Sequence, residues 1–482
     1  MAASIKSLTK QTLVYGVGTI LTRMVTFLLL PVYTNVLSPA DYGLAVLVFV
    51  FTAFMNHIYN YGLDSALMRH YGEDPAPQHK TAVLSTAIWL ALGTSFVFSG
   101  IIYLLNNPLS KLLLSSADYA QLIKLAALIL FFDCISRVPF ALLRLEEKPG
   151  FFMGVRLINV LITLGLNIYF VVYLKTGIIG IFQSNVIASC LTALILFTVL
   201  ISKIKFRFSG HIAKDLILFG IPFVPMGLAT AAMEMLNRYI VQHFMGLEAV
   251  GIFSAGFKLG IFMLLIATAF FYAWQPFFIK AGKKESSRVL FSRVLTYFIL
   301  VALSFWVVLT VFMHEIINFH IGGVYLIGPK FQGCESMVPF ILLGYVFYGI
   351  NQVFLPGIYF EKKTRYLAYI AFLAAGANVL SNFLLIPRLG LLGSAISSLI
   401  GYIILAVFTF QVSQRLFKVP YEYRRIVLLF IIALLAGFFS YIFNPSIPIK
   451  FVVILILPLS LRLFGFFKKD EIASLKMLLP FR

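Results

Sequence analysis

The chain has 482 residues, of which 61% are hydrophobic and only 12% charged, and its mean hydropathy is +0.97. That leaves too little polar surface to cover a soluble domain, and apolar runs of about 20 residues, each able to cross roughly 30 Å of hydrocarbon, recur from end to end. The formal charge of +20 is no argument for nucleic acid, because Lys and Arg concentrate in the cytoplasmic loops of membrane proteins.

Fourteen spans are expected in chain order, at about 10–33, 41–66, 80–105, 118–142, 152–174, 178–202, 213–238, 248–275, 290–313, 335–357, 366–386, 391–414, 425–443 and 449–467. The runs are continuously apolar and do not alternate, so they read as helices and not as barrel strands. Lys6 and Lys10 precede the first run as they would in a signal peptide. The run is long, holds Arg23 and lacks a small-residue cleavage site, so it reads as an uncleaved span. The tail KKDEIASLKMLLPFR reads as an amphipathic interfacial helix or a disordered end. Cys134, Cys190 and Cys334 show no metal-ligand spacing.

Polar residues inside these spans are expensive and therefore informative. The first span carries Arg23, four residues from Thr19, in GTILTRMVTFLLLPVYT, and the second carries Asn56, Asn60 and Asp64 at i, i+4 and i+8 beside His57. In the fourth and fifth, Arg137 and Arg156 lie near span ends, where snorkelling or a pair with Asp133 is the simpler reading. The seventh contains Pro222 and Pro225 in FGIPFVPMG, which must kink or open the helix and read as a gating hinge. Glu234 and Arg238 stand i,i+4 at its outer end, and the eleventh span holds Asn378 and Asn382. The eighth has Ser254 and Lys258 four apart. Arg23 and Lys258 fall near mid-span, where snorkelling is hard. Two such cations facing one cavity would hold an anion, most simply a phosphate or pyrophosphate, which Arg grips bidentately and Lys attracts as a point charge. The expected substrate cavity is thus lined by Arg23, Lys258, Asn56 and Asn60. Asp64, Asp133 and Glu234 are candidates for coupling to a proton or sodium ion.

With the N-terminus inside, 26 basic residues face the cytoplasm and only Lys111, Lys175, Arg238, Lys330, Arg388 and Lys450 face outward. This asymmetry puts both termini in the cytoplasm. An internal repeat is also visible. KTGIIGIFQS at 175–184 matches RLGLLGSAIS at 388–397 without a gap, and LSPADYGLAV at 37–46 echoes MGLEAVGIFS at 245–254 through Gly43 and Gly251. Six spans separate the copies, an even number, so the copies share one orientation. The implied architecture is two parallel six-helix lobes, 1–205 and 206–420, with two further helices and a tail over 421–482. Transporters built this way hold substrate between lobes and alternate access by rocking them. There is no P-loop, nucleotide-binding Gly fingerprint, HExxH or CxxC pair, so an enzyme is not expected and no cofactor is required.

The stretches ILTRMVTFLLLPVYTNVLSPADYG, YGLDSALMRHYGED, FGIPFVPMG, NRYIVQHFMGLEAVGIFSAGFKLG and AWQPFF resemble the polysaccharide-biosynthesis, or O-antigen, flippases of the multidrug/oligosaccharidyl-lipid/polysaccharide (MOP) exporter superfamily. The resemblance covers most of the first twelve spans and is a pattern spread over many positions. It implies a V-shaped, two-lobed fold in the bacterial inner membrane. It also implies transport of undecaprenyl-diphosphate-linked sugar units from the cytoplasmic to the periplasmic leaflet. Lipid-II flippases of that superfamily have basic cavity residues on their first and eighth helices, where Arg23 and Lys258 fall here; an arginine is usual at the second position, and a lysine keeps the charge there without the bidentate fork. The expected partners are the lipid-linked oligosaccharide and membrane lipids, with a polysaccharide polymerase as a candidate and no nucleic acid. A monomer is expected. The alternatives are a multidrug or organic-cation antiporter, which would want acidic groups dominating its cavity, and a polyprenyl-linked glycan polymerase, ligase or glycosyltransferase. The last would be expected to carry a large outer loop, and every outer loop here is short.

Overall fold

The computed structural model describes residues 21, 23–73, 76–201 and 203–466. The start of the first expected span, with Lys6, Lys10 and Thr19, and the tail from Lys468 lie outside the described residues. The chain is an all-α polytopic membrane protein. Twelve helices among the described residues are long and apolar enough to cross a membrane, and a bent pair makes thirteen. The described residues divide into two compact units: those up to 258, with 320–333 and 375–397, form one, and those of 259–319, 334–374 and from 398 onward the other.

The first unit opens with α1 (Leu29–Val36), α2 (Pro39–Asn60) and α3 (Leu63–Glu73). Ser38 caps α2, its hydroxyl accepting from the Asp41 N–H at 3.1 Å while Pro39 takes the first helical position. Next come α4 (Pro77–Leu104), α5 (Asn106–Leu114), α6 (Ala120–Leu145), α7 (Pro149–Asn167) and α8 (Gly177–Leu200). α7 ends in a π-helical turn, Ile168–Tyr173. Helix α6 is the centre of this set, packing against α4 and α8, while α7 packs on α8 around Leu143, Phe152, Val155 and Leu196. Many serines, threonines and asparagines inside the spans bond back to carbonyls one turn earlier or across to the next helix, as Asn159 does to Thr192 at 2.8 Å.

The expected seventh and eighth spans, 213–238 and 248–275, have different limits in the structure. Helices α9 (Gly210–Gly220) and α10 (Phe223–Met235) lead into α11 (Asn237–Leu259), which is two helices joined at Gly246, with φ 83° and ψ −176°. A helix therefore occupies 239–245, where a loop was expected. Its polar residues find partners there: Tyr239 donates to the Leu47 carbonyl at 3.1 Å, and the Arg238 guanidinium lies 4.7 Å from the Phe257 ring. The turn is confined to Gly246, whose positive φ an L-residue tolerates poorly. The two starts that the weaker sequence echo aligned, Pro39 and Leu247, thus each follow a tight turn. At the stronger pair of matches, Gly177 and Gly390 both have positive φ, 62° and 59°.

The second unit contains α12 (Ile261–Ala281), α13 (Glu285–Val311), α14 (Met313–Asn318), α15 (Val338–Val353) and α16 (Pro356–Phe360), while the hairpin of two-residue strands between α14 and α15, β1 (His320–Ile321) and β2 (Val324–Tyr325), belongs to the first unit. Helices α17 (Arg365–Leu389) and α18 (Leu391–Leu416) give their facing ends to the first unit and the rest to the second. The pair α19 (Tyr423–Phe443) and α20 (Ile447–Leu463) completes it. Trp306 of α13 is fully buried, donates to the Pro339 carbonyl at 2.8 Å, and lies against Gly437 of α19. Lys450 is 1% exposed, yet its ammonium donates to Glu315 at 2.7 Å and to Asn444 at 2.8 Å. A buried charge is tolerable only when so compensated, and this cluster ties the start of α20 to α14.

Candidate functional site: an arginine-lined cavity

A cavity of about 400 Å³ lies within the first unit, lined by residues of α2, α3, α6, α7 and α8. Helix α6 supplies Asp133, Ser136, Arg137, Phe140 and Arg144, at steps of three and four residues that hold one helical face. Helix α7 faces it with Phe152, Arg156, Asn159 and Val160, again one stripe. Asn56 of α2, Asp64 of α3 and Thr192 of α8 complete the wall.

Three guanidiniums therefore meet two carboxylates. Arg137 donates to Asn56 Oδ1 at 2.9 Å, and Asp133 accepts from Ser189 Oγ at 2.8 Å. Arg144 stands 3.5 Å from Asp64, which also accepts from Asn60 Nδ2 at 3.0 Å. Arg156 lies on the Phe140 and Phe152 rings, 5.3 and 5.0 Å from their centres. Stacking holds its plane while leaving its N–H groups for another acceptor. An anion entering this cavity would meet preplaced bidentate donors. Between α6 and α7, Glu146 pairs with Lys148 at 2.9 Å and with Lys203.

The sequence-derived site residues are distributed unevenly. Asn56, Asp64 and Asp133 line the cavity, and Asn60 stands behind it on Asp64. Arg23 and Lys258 do not line it. Arg23 is half-buried, and Lys258, also half-buried, has its ammonium 5.6 Å from the Tyr33 ring and 5.9 Å from the Tyr42 ring. The Glu234 side chain lies outside the described residues. Pro222 precedes the first residue of α10 and Pro225 sits in its first turn, where α9 and α10 meet at a bend of 41°. Arg137 and Arg156 were expected to snorkel or to pair with Asp133. Both line the cavity with Asp133 and Arg144, and Arg137 also bonds Asn56. The helical face through Asp133, Ser136, Arg137, Phe140 and Arg144 is the signal that could have found them. Among the described residues, no group of three or more His, Cys, Asp or Glu is placed to hold a metal ion.

The fold resembles solved structures over nearly its whole length. One is "Lipid II flippase MurJ, inward closed conformation", with a TM-score of 0.76 at 15% identity, covering 93% of this chain and 99% of that one. Another is an inward-facing multidrug resistance MATE family transporter of the MOP superfamily, with a TM-score of 0.63 at 15% identity, covering 85% of this chain and 96% of the other. An uncharacterized membrane protein of Methanocaldococcus jannaschii is 25% identical over 272 residues, 55% of this chain. That match spans half the length of the curated relative. The chain is a multi-pass membrane protein that shares its fold with these two solved proteins. The model of a polysaccharide biosynthesis protein matches residues 32–327, well over half of the chain. The chain belongs to this polysaccharide biosynthesis family.

Proposed function

We propose that the protein is a flippase for undecaprenyl-diphosphate-linked oligosaccharides, the repeat units of O-antigen, capsule or exopolysaccharide, in the bacterial inner membrane. The observation that carries this reading is the cavity in which Arg137, Arg144 and Arg156 outnumber Asp64 and Asp133. An excess of guanidinium inside a membrane protein suits a phosphate-bearing cargo. The polysaccharide biosynthesis family and the MurJ-like fold support it.

In this reading the protein transports and does not catalyse. Both termini are cytoplasmic, and two six-helix lobes, 1–205 and 206–420, alternate access with the bend at Pro222 and Pro225 as hinge. Arg23 and Lys258 carry the diphosphate beyond the arginine cavity. Asp64 and Asp133 interact with the arginines that grip the cargo, so a proton or sodium ion that neutralises one of them would favour anion binding; Glu234 is a further candidate for coupling.

The test uses purified protein in liposomes and a fluorescent undecaprenyl-diphosphate glycan added to one leaflet. Translocation that needs the protein is the expected result. Export of cationic dyes with no lipid movement would replace this reading with an organic-cation antiporter, the chemistry that carboxylates in the cavity would serve.

A further inference from the structure

The chain between α14 and α15 is divided in its attachments. By sequence it lies in the lobe proposed over 206–420, and its two ends run into α14 and α15. Its middle, residues 320–333, belongs to the first unit, where it sits on the last turn of α1. Asn35 presents its side-chain amide to Tyr325 as a neighbouring strand would present a peptide. Its Nδ2 donates to the Tyr325 carbonyl at 2.6 Å, and its Oδ1 accepts from the Tyr325 N–H at 3.0 Å. One residue earlier, Thr34 Oγ1 accepts from the Gly328 N–H at 3.0 Å, and a Cβ on Gly328 would overlap the Thr34 carbonyl. Ile327 and Phe331 are fully buried, Phe331 edge-on to Tyr42 with ring centres 5.7 Å apart.

This seat is built to be left. The hairpin has two residues per strand, turned at Gly322 and Gly323 with φ of 58° and 83°. So short a pair does not hold its shape in water, and its order therefore comes from α1. The Asn35 bonds lie at exposed positions, where water replaces them at small net loss. The base of the loop is held differently. His314 ahead of it and Glu335 behind it meet at 3.1 Å from Nδ1 to Oε1, so the loop follows α14 and α15. A loop of 206–420 seated on a helix of 1–205 has to let go whenever those lobes rock apart. We propose that residues 320–333 are a releasable strap on the end of α1, and that Asn35 and Thr34 set how readily it lifts during transport. The need to lift rests on the alternating access proposed above; the seat itself does not.

The test uses full-length protein in liposomes, in a background of Cys134→Ala, Cys190→Ala and Cys334→Ala. In one form Asn35→Cys and Tyr325→Cys are oxidised to a disulfide. The bridge is expected to form and to stop translocation of the fluorescent glycolipid, with recovery on reduction. Undiminished translocation by the bridged protein, or a pair that never bridges, overturns the proposal. In a second form Ile327→Cys reports release, because a side chain buried in the seat reacts with a maleimide only while the strap is lifted. Adding Asn35→Ala should raise the labelling rate about 3- to 10-fold, the range of one hydrogen bond. Equal rates with and without Asn35→Ala would show that this residue does not hold the strap, and would also overturn it. Labelling needs no cargo. A reduced protein that moves no glycolipid would therefore count against the flippase reading, while the labelling rates would still decide the strap.

Discussion

Gly43 and Gly251 lie against one another's helices in a reciprocal contact. A Cβ on Gly43 would overlap the Leu247 carbonyl, and one on Gly251 would overlap the Pro39 carbonyl. Pro39 and Leu247 are the first residues after the two matched turns, so each glycine touches the start of the other's helix. Reciprocity of this kind marks a local two-fold axis between repeated elements. Backbones approach this closely only where side chains are absent. Gly43→Ala and Gly251→Ala should each destabilise the protein by about 1–3 kcal/mol, the usual penalty of overpacking. Thermal melting in detergent checks this, with Gly100→Ala, where nothing lies within 4 Å of an added Cβ, as the control expected to change little.

Arg137 is the cavity arginine with a direct hydrogen bond to Asn56, at 2.9 Å. A charged hydrogen bond to a ligand contributes roughly 1.5–3 kcal/mol, which corresponds to about a 10- to 100-fold change in affinity. Arg137→Ala should lower glycolipid translocation by that order, and Arg137→Lys should recover part of it, since the charge returns without the fork. Insertion and elution profile should be unchanged. Equal activity of wild type and Arg137→Ala in the liposome assay would remove this residue from the site.

A buried amide network joins α11, α17 and α18 in the first unit. Asn382 Nδ2 donates to Asn237 Oδ1 at 3.0 Å and to the Asn378 carbonyl at 2.8 Å, and its Oδ1 accepts from Ser394 at 2.9 Å. Asn382→Ala deprives buried groups of these bonds and should cost about 1–3 kcal/mol. Adding Ser394→Ala should cost less than it does alone, because the two share one network. A double-mutant cycle by thermal melting reads the coupling, and strict additivity would show that no network exists.

Between α6 and α7, burial alone would raise the Glu146 carboxyl. Hydrogen bonds and charge from Lys203 and Lys148 outweigh it and hold the group below its ordinary 4.5. A carboxylate depressed in the folded chain contributes stability above its unfolded value and loses it as pH falls through the folded one. Glu146→Gln should therefore melt below wild type near neutral pH, and the gap should close as the pH drops well under 4.5. A gap that persists in acid would mean that packing, and not charge, sets the difference.

Much of this molecule was legible in the linear chain because the bilayer imposes a simple code. Every span must satisfy its backbone internally and show lipid an apolar surface, so long apolar runs, the Gly turns of the repeat and the proline break at Pro222 could be read directly. The limits near Gly246 could not. Arg238, Tyr239 and Gln242 look like a loop until their partners are known, and Tyr239 finds its acceptor at Leu47, 192 residues away in sequence. The cavity escaped for a similar reason. Arg137 and Arg156 sit near span ends, where a single helix offers snorkelling as the cheaper outcome. Packing of α6 on α7 and α8 turned one stripe of each helix inward and brought three arginines to Asp64 and Asp133. Composition and periodicity determined that the chain crosses the membrane many times and carries cations within it. Which cations share a cavity was decided by contacts between helices distant in sequence, which no local pattern encodes.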